Sequence, residues 1–282
     1  MLVRFWGVRG SSAVPGSLTE RYGGNTSCIS IDLTPSDTLI VDAGTGIREL
    51  GEAAKKERVD AAAHTYFILL SHLHWDHVQG IPLFAPFHDA KARIEFISDP
   101  ELNWGRRVMK QFGGDHFPLC EDDLLATVVH REESPKAVLA PFLDDVERIR
   151  ANHPGLCYGY RFRKGNKSLV YLTDNEVTGM SVPLTPREEL VSFCKDVDFL
   201  IHDAQYTALD LPRKCGWGHS EVSDVCRLAA DANVGKLFLF HHDPNRSDND
   251  IDGIVASARD YLSGNRSSVS CSAAREGDSF DL

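Results

Sequence analysis

The first hundred residues alternate short apolar runs with breaks rich in Gly, Pro, Ser and Asp. Residues 2–6 (LVRFW), 27–33 (SCISIDL), 38–43 (TLIVDA), 66–71 (YFILLS) and 93–98 (RIEFIS) have the length and composition of strands. Between them, 46–58 (GIRELGEAAKKER) and 100–112 (PELNWGRRVMKQF) carry the mixed faces of surface helices. The second half repeats the order. Residues 158–162 and 168–174 predict a hairpin around KGNK, followed by a helix within 186–195 and a buried strand at 197–204. A helix over roughly 220–232, a strand at 236–240, a helix over about 248–263 and a last strand in 277–282 complete the chain. Strands followed by helices in both halves suit two sheets packed face to face with helices outside. The expectation is an α/β fold, a four-layer αββα sandwich, in a single domain over 1–282, because no linker or repeat interrupts it.

Composition narrows the function classes. Apolar residues make up 42% and charged residues 25%, as in ordinary globular proteins, and no run approaches the roughly 18 apolar residues of a membrane span. The N-terminus lacks the apolar region and cleavage site of a signal peptide, so a cytoplasmic address is expected. The seven cysteines (28, 120, 157, 194, 215, 226, 271) form no C-x-x-C pair and read as reduced thiols. A net charge of −11 argues against binding long nucleic acids. It leaves room for a short phosphodiester, whose charge bound cations can balance.

One segment concentrates chemistry. LLSHLHWDHVQG (69–80) places His72, His74, Asp76 and His77 within six residues, directly after an apolar strand. Extended alternation sends His72, His74 and Asp76 to one side, and a turn at Asp76–His77 returns His77 to the same pocket. Imidazole and carboxylate are the donors that zinc and its neighbours prefer. Two metals need further ligands, and the strand ends offer His153, Asp174 and either His241 or His242. Neighbours on a strand point opposite ways, and His241 is preferred by its position after LFLF. His219, in GWGHSEVSDV (216–225), precedes a helix with Val222, Val225, Cys226 and Ala229 on one face, Ser220 as N-cap and Gly235 beyond its end. The dipole of that helix favours a neutral His219, whereas a carboxylate such as Asp203 favours the protonated form that a general acid needs. His64, His88, His116, His130 and His202 read as surface or structural. The stretch KQFGGDHFPL (110–119) either lines the pocket mouth with Phe112, His116 and Phe117 or is an ordinary core turn. GGNTSC (23–28) either approaches the site or is a hairpin turn.

The pattern H-x-H-x-D-H, then His, then Asp, then His resembles the metallo-β-lactamase superfamily, over nearly the whole chain. VDAGTG (41–46) resembles its first motif, whose Asp, here Asp42, is a buried residue orienting the metal-binding loop. The resemblance implies one metal on His72, His74, His153 and Asp174, a second on Asp76, His77, Asp174 and His241, and a bridging hydroxide as nucleophile. It implies two divalent cations, zinc first, with manganese or iron suiting the same donors. Asp174 stands where the β-lactamases proper usually carry a cysteine, and so resembles the branches acting on phosphodiesters, esters and lactones, and thioesters. The order H-D-A, GHS, LFLFHH is similar to the transfer-RNA 3′-end endonucleases and small cyclic phosphodiesterases. That likeness makes His219, oriented by Asp203, the group serving the scissile phosphate, with Asp76 also among the catalytic residues. Only 21 positions separate His153 from Asp174, too few for the clamping arm that some of those endonucleases insert there. The expected substrate is a small phosphodiester of cyclic-nucleotide type, with no long nucleic acid and no membrane as partner. A homodimer is common in that branch. The alternatives are a lactonase or other carboxylic-ester hydrolase, and a metal-bearing binding module without turnover.

Overall fold

Two sheets share the strands of the computed structural model, which describes residues 1–57, 63–114, 117–179 and 182–282. The first contains β1 (Leu2–Gly7), β2 (Cys28–Thr34), β3 (Asp37–Val41), β4 (His64–Leu69), β5 (Ala92–Ile97) and β6 (Thr127–His130). The second contains β7 (Asp145–Arg150), β8 (Tyr158–Lys164), β9 (Lys167–Leu172), β10 (Phe199–Asp203), β11 (Lys236–Phe240) and β12 (Ser270–Ala273). The last strand, β13 (Ser279–Asp281), returns to the first sheet. The orders are β13-β1-β2-β3-β4-β5-β6 and β12-β11-β10-β9-β8-β7.

The apolar runs are continuous because both faces of these strands are buried. Along β4, Phe67 and Leu69 face the second sheet, where they share one core with Leu169, Tyr171, Phe238 and Phe240. Tyr66 and Ile68 face the other way, onto Ile47, Leu50 and Ala54 of the helix Gly46–Glu57. On the second sheet, Val170, Leu200, Leu237 and Leu239 pack under the helices Arg187–Phe193, Val222–Asp231 and Asp248–Gly264. Helix, sheet, sheet and helix form the four layers of the expected αββα sandwich.

Direction matters most for function. β3, β4 and β5 pair in parallel, as do β9, β10, β11 and β12. Their carboxyl ends gather at one edge of the sandwich, the place where α/β sheets bind ligands.

Several local readings need correction. The stretch 100–112 is helical only over Trp104–Val108, with a short 3₁₀ turn after it, because Asn103 enters in the left-handed region at φ 49°. β6, β7 and β12 gave no sequence signal. Each borders its sheet, and β6 and β7 bury too few side chains for an apolar run. The helix Val222–Asp231 is capped by Glu221, whose side chain accepts from the Ser223 amide; Ser220 is not the cap. Arg58, at the end of the first expected helix, lies outside the described residues. All seven cysteines are free thiols. No helix among the described residues is long and apolar enough to cross a membrane.

Candidate metal centre

The site residues follow the parallel strands. Asp42 follows β3, Ser71 and His72 follow β4, Asp174 follows β9, Asp203 ends β10 and His241 follows β11. Asp42, Asp174 and His241 have φ of 61°, 51° and 59°. The left-handed backbone turns each chain sharply at the strand end, at a cost of roughly 1–2 kcal/mol per residue. His153 lies in the loop between β7 and β8. His74 is the N-cap of a short helix, Trp75–Val78, so Asp76 reaches the site on a helical turn rather than by extended alternation. That same turn delivers His77.

The donors fall into two groups that share one carboxylate. His72, His74, His153 and Asp174 form the first, and Asp76, His77 and His241 the second, with donor atoms within 4.8 Å of one another in each. Asp174 Oδ2 lies 3.7 Å from Nε2 of both His72 and His153. Its Oδ1 lies 3.1 Å from His77 Nε2 and 3.2 Å from His241 Nε2. Asp76 Oδ2 is 3.3 Å from both of those nitrogens. His241 therefore joins the cluster, whereas His242 turns away and pairs its Nε2 with the Ala274 carbonyl at 3.0 Å. All of these side chains are buried except His74, through which the cluster meets solvent.

Outer partners fix which nitrogen of each ring points inward. His77 Nδ1 donates to Asp42 Oδ2 (2.8 Å), His241 Nδ1 to Gln205 Oε1 (3.0 Å) and His153 Nδ1 to the Gly218 carbonyl (3.0 Å). His72 Nδ1 donates to Ser71 Oγ (3.0 Å), whose own proton goes to Asp42 (2.8 Å). With Nδ1 engaged in each, every Nε2 is turned inward, where the neutral ring offers a lone pair. The Nε2 atoms of His77 and His241 face each other at 3.3 Å, and His153 Nε2 lies 3.0 Å from His74 Nδ1. His72 Nε2 is buried with no hydrogen-bond partner among the described residues. Converging lone pairs between two carboxylates call for cations, and the nitrogen and oxygen set suits a divalent transition metal. The same carboxylates draw positive charge, a proton where no cation sits. Burial alone would lower the pKa of His77, but Asp174, Asp76 and Asp42 outweigh it and hold the pKa well above the ordinary value. Burial also opposes ionised Asp174, yet His241, His77 and His72 keep its pKa well below the usual range.

Asp42 is the orienting residue that the first motif implies. It accepts from Ser71 N (2.7 Å), Ser71 Oγ, His77 Nδ1 and the Tyr171 hydroxyl (2.8 Å), and so sets two donor rings at once, His77 directly and His72 through Ser71. Ser11 N donates to Asp76 Oδ2 at 2.7 Å and fixes that carboxylate from the N-terminal loop. Asp203 and His219 meet at 2.6 Å, Oδ2 to Nδ1, with Gln205 N holding the other oxygen of Asp203. Burial would depress the His219 pKa, but Asp203 more than compensates and raises it to about 9. The His219 ring stacks on His241 at 5.0 Å and lies 5.3 Å from His153, touching both groups. It stands before the helix rather than at its first turn. Its donor atom is also within 4.8 Å of Asp174 and His241.

Other sequence candidates resolve simply. Phe112 packs between Phe87 and Phe117 in the core, so the 110–119 segment is a core turn where described, and His116 lies outside the described residues. Thr26 of GGNTSC exchanges hydrogen bonds with Thr45 beside the Asp42 loop. His64 and His202 are buried and bonded to Thr38 and Asn175, whereas His88 is exposed. Tyr171, Gln205, Ser11 and Gly218 were missed. Tyr171, Gln205 and Ser11 act on partners far away in sequence and carry no local signal, whereas Gly218 lies in the GHS motif beside His219 and acts through its main chain.

Comparisons with known proteins agree with this geometry. A family profile described as "Beta-lactamase superfamily domain" matches residues 37–242. A protein named ribonuclease Z from Thermoplasma volcanium is 34% identical over 126 residues, 40% of this chain and 36% of that relative's length. A protein named "Probable metallo-hydrolase YhfI" from Bacillus subtilis is 25% identical over 210 residues, covering 72% of this chain and 75% of its own. Zinc-bound PqqB from Methylobacterium extorquens superposes over the full length of both chains with a TM-score of 0.71 at 17% identity. With its αββα layers, strand-end histidines and matching profile, the chain belongs to the β-lactamase superfamily.

Proposed function

We propose that the protein is a metal-dependent hydrolase that holds two divalent cations and cleaves a small phosphodiester. His72, His74, His153 and Asp174 would hold one cation. Asp76, His77, Asp174 and His241 would hold the other. Zinc suits these donors first, and manganese or iron would also fit. Bound there, the cations supply Lewis acidity, neutralising phosphate charge and lowering the pKa of water.

The chain's own groups divide the remaining work. The observation that carries the reading is the His219–Asp203 pair at 2.6 Å, set against both donor groups. Asp203 occupies Nδ1, which leaves the Nε2 proton of His219 for the leaving oxygen. Asp76, held by Ser11 N, contributes to the second donor group and to the charge around the reacting centre. Trp75 and Trp217 are 60% and 59% exposed, and each lies within two residues of a site histidine. They offer aromatic surface suited to the base of a nucleotide-type substrate. The likeness to a ribonuclease Z supports phosphodiester chemistry. The acidic charge and the short His153–Asp174 interval support a small substrate over a long nucleic acid.

The test compares His219→Ala with the parent protein on bis(p-nitrophenyl) phosphate and on a lactone, with metal content measured on the same samples. A kcat loss of roughly 10²–10⁴-fold confined to the phosphodiester is expected. Equal loss on both substrates would remove His219 as the proton donor. Lactone turnover without phosphodiester turnover would favour a carboxylic-ester hydrolase.

A further inference from the structure

Glu176 lies two residues beyond Asp174 and is 1% exposed. A buried carboxylate needs compensation, and here main-chain amides supply it. Gly216 N lies 2.9 and 3.0 Å from its two oxygens, and Gly218 N lies 3.0 Å from Oε2. Both glycines are left-handed (φ 82° and 87°), which lets their two amides converge on one anion. The carbonyl of the same Gly218 takes the Nδ1 proton of His153 at 3.0 Å, and the next residue is His219. The main chain of Glu176 exchanges bonds with Asn152, the neighbour of His153: Glu176 N to Asn152 O at 3.0 Å, and Asn152 Nδ2 to Glu176 O at 3.1 Å. Ser220 closes the loop, accepting from Val177 N (3.0 Å) and donating to Asn175 O (2.5 Å).

We infer that Glu176 is a positioning residue that clamps the Gly216–Gly218 turn, and through it sets the His153 ring and the His219 ring together. The inference rests on the hydrolase reading above and deepens it. One buried carboxylate makes completion of the first donor group and placement of the proton donor a single structural event. Asp203 orients His219 alone, and Asp42 orients His77 and His72 alone. Glu176 spans both functions.

The experiment uses the full chain loaded with Co²⁺, with affinity from equilibrium dialysis, the cobalt absorption spectrum, and turnover of bis(p-nitrophenyl) phosphate. Glu176→Ala is expected to weaken cobalt binding roughly 10–100-fold, alter the spectrum and lower kcat in the same variant. Asp203→Asn is expected to lose turnover while keeping parental cobalt affinity, and His74→Ala to weaken cobalt binding with the His219 loop intact. Glu176→Gln keeps one oxygen for the two glycine amides but turns an NH₂ toward Gly216, so partial rescue is expected. Parental affinity, spectrum and kcat in a folded Glu176→Ala protein would overturn the inference. If the alanine variant does not fold, the glutamine variant decides, and parental values there overturn it equally. A parent protein that binds cobalt but hydrolyses no phosphodiester would sink the functional reading, while the dialysis and spectral arms would still judge the clamp.

Discussion

Four of the donor histidines, His72, His77, His153 and His241, each turn Nδ1 to a single acceptor, and Asp42 serves two of them, His77 directly and His72 through Ser71. Asp42→Ala would strand the Tyr171 hydroxyl, His77 Nδ1 and both donors of Ser71 in a buried space. At roughly 1–3 kcal/mol for each unsatisfied donor, a stability loss of at least about 4 kcal/mol is expected, with metal affinity down roughly 10–100-fold. Chemical denaturation and metal dialysis check both, and an unchanged midpoint would count against the accounting. His242 offers a pH prediction. It is buried and bonded to the Ala274 carbonyl, with Arg9 and His241 disfavouring its charge and Asp203 weakly favouring it; burial dominates and lowers its pKa from 6.5 to about 4. The folded state thus prefers the neutral ring, so its contribution to stability is full above pH 6.5 and is lost as pH falls toward 4. The thermal midpoint of metal-free protein should drop over that window, where His153, lowered to about 4 mainly by burial, titrates as well, and His242→Gln should make the drop shallower. A parallel pair of profiles would refute the assignment. Residues inside 69–80 were legible because their spacing is local. Gln205 and Tyr171 were not, since their partners lie 36 and 129 positions away.

Strands and loops were legible to different degrees for a physical reason. Central strands bury both faces and print continuous apolar runs, whereas β6 and β7 bury few side chains and print almost nothing. Loop conformation leaves a trace only where glycine permits an approach. A Cβ on Gly10 would overlap the His241 imidazole. Gly10→Ala is therefore expected to displace His241 and weaken metal binding by tenfold or more, with the sheets intact by circular dichroism. Parental affinity would show that the N-terminal loop yields instead. The helix Trp75–Val78 makes the same point from the opposite direction. Its four residues are too few to produce a periodic signal, yet its turn decides where Asp76 and His77 point.

Across the whole molecule, each donor group draws from both sheets. His72 and His74 follow a strand of the first sheet, while His153 and Asp174 flank strands of the second; Asp76 and His77 face His241 in the same manner. A cation in either group therefore ties the sandwich together at one edge. Removing metal with a chelator should lower the thermal midpoint by several degrees, since a ligand at about 100 times its Kd adds roughly 2.7 kcal/mol. Restoring zinc should return it, and a midpoint indifferent to metal would refute the cross-link. The layer order and most of the donor set were readable from sequence, because apolar periodicity and a six-residue cluster record them directly. The convergence of five strand ends was not, because it depends on pairing between distant segments.

The left-handed backbone at Asp42, Asp174 and His241 has a consequence for how such a protein changes over generations. Without metal, those three positions still carry their backbone strain. A lineage or library selected only for thermal endurance in metal-poor medium would keep Asp42, whose carboxylate satisfies four buried donors, and would gain by drifting to glycine or asparagine at His241. It would keep the sandwich and erase the site. Metal-dependent function gives the reason to keep an imidazole on that strained backbone.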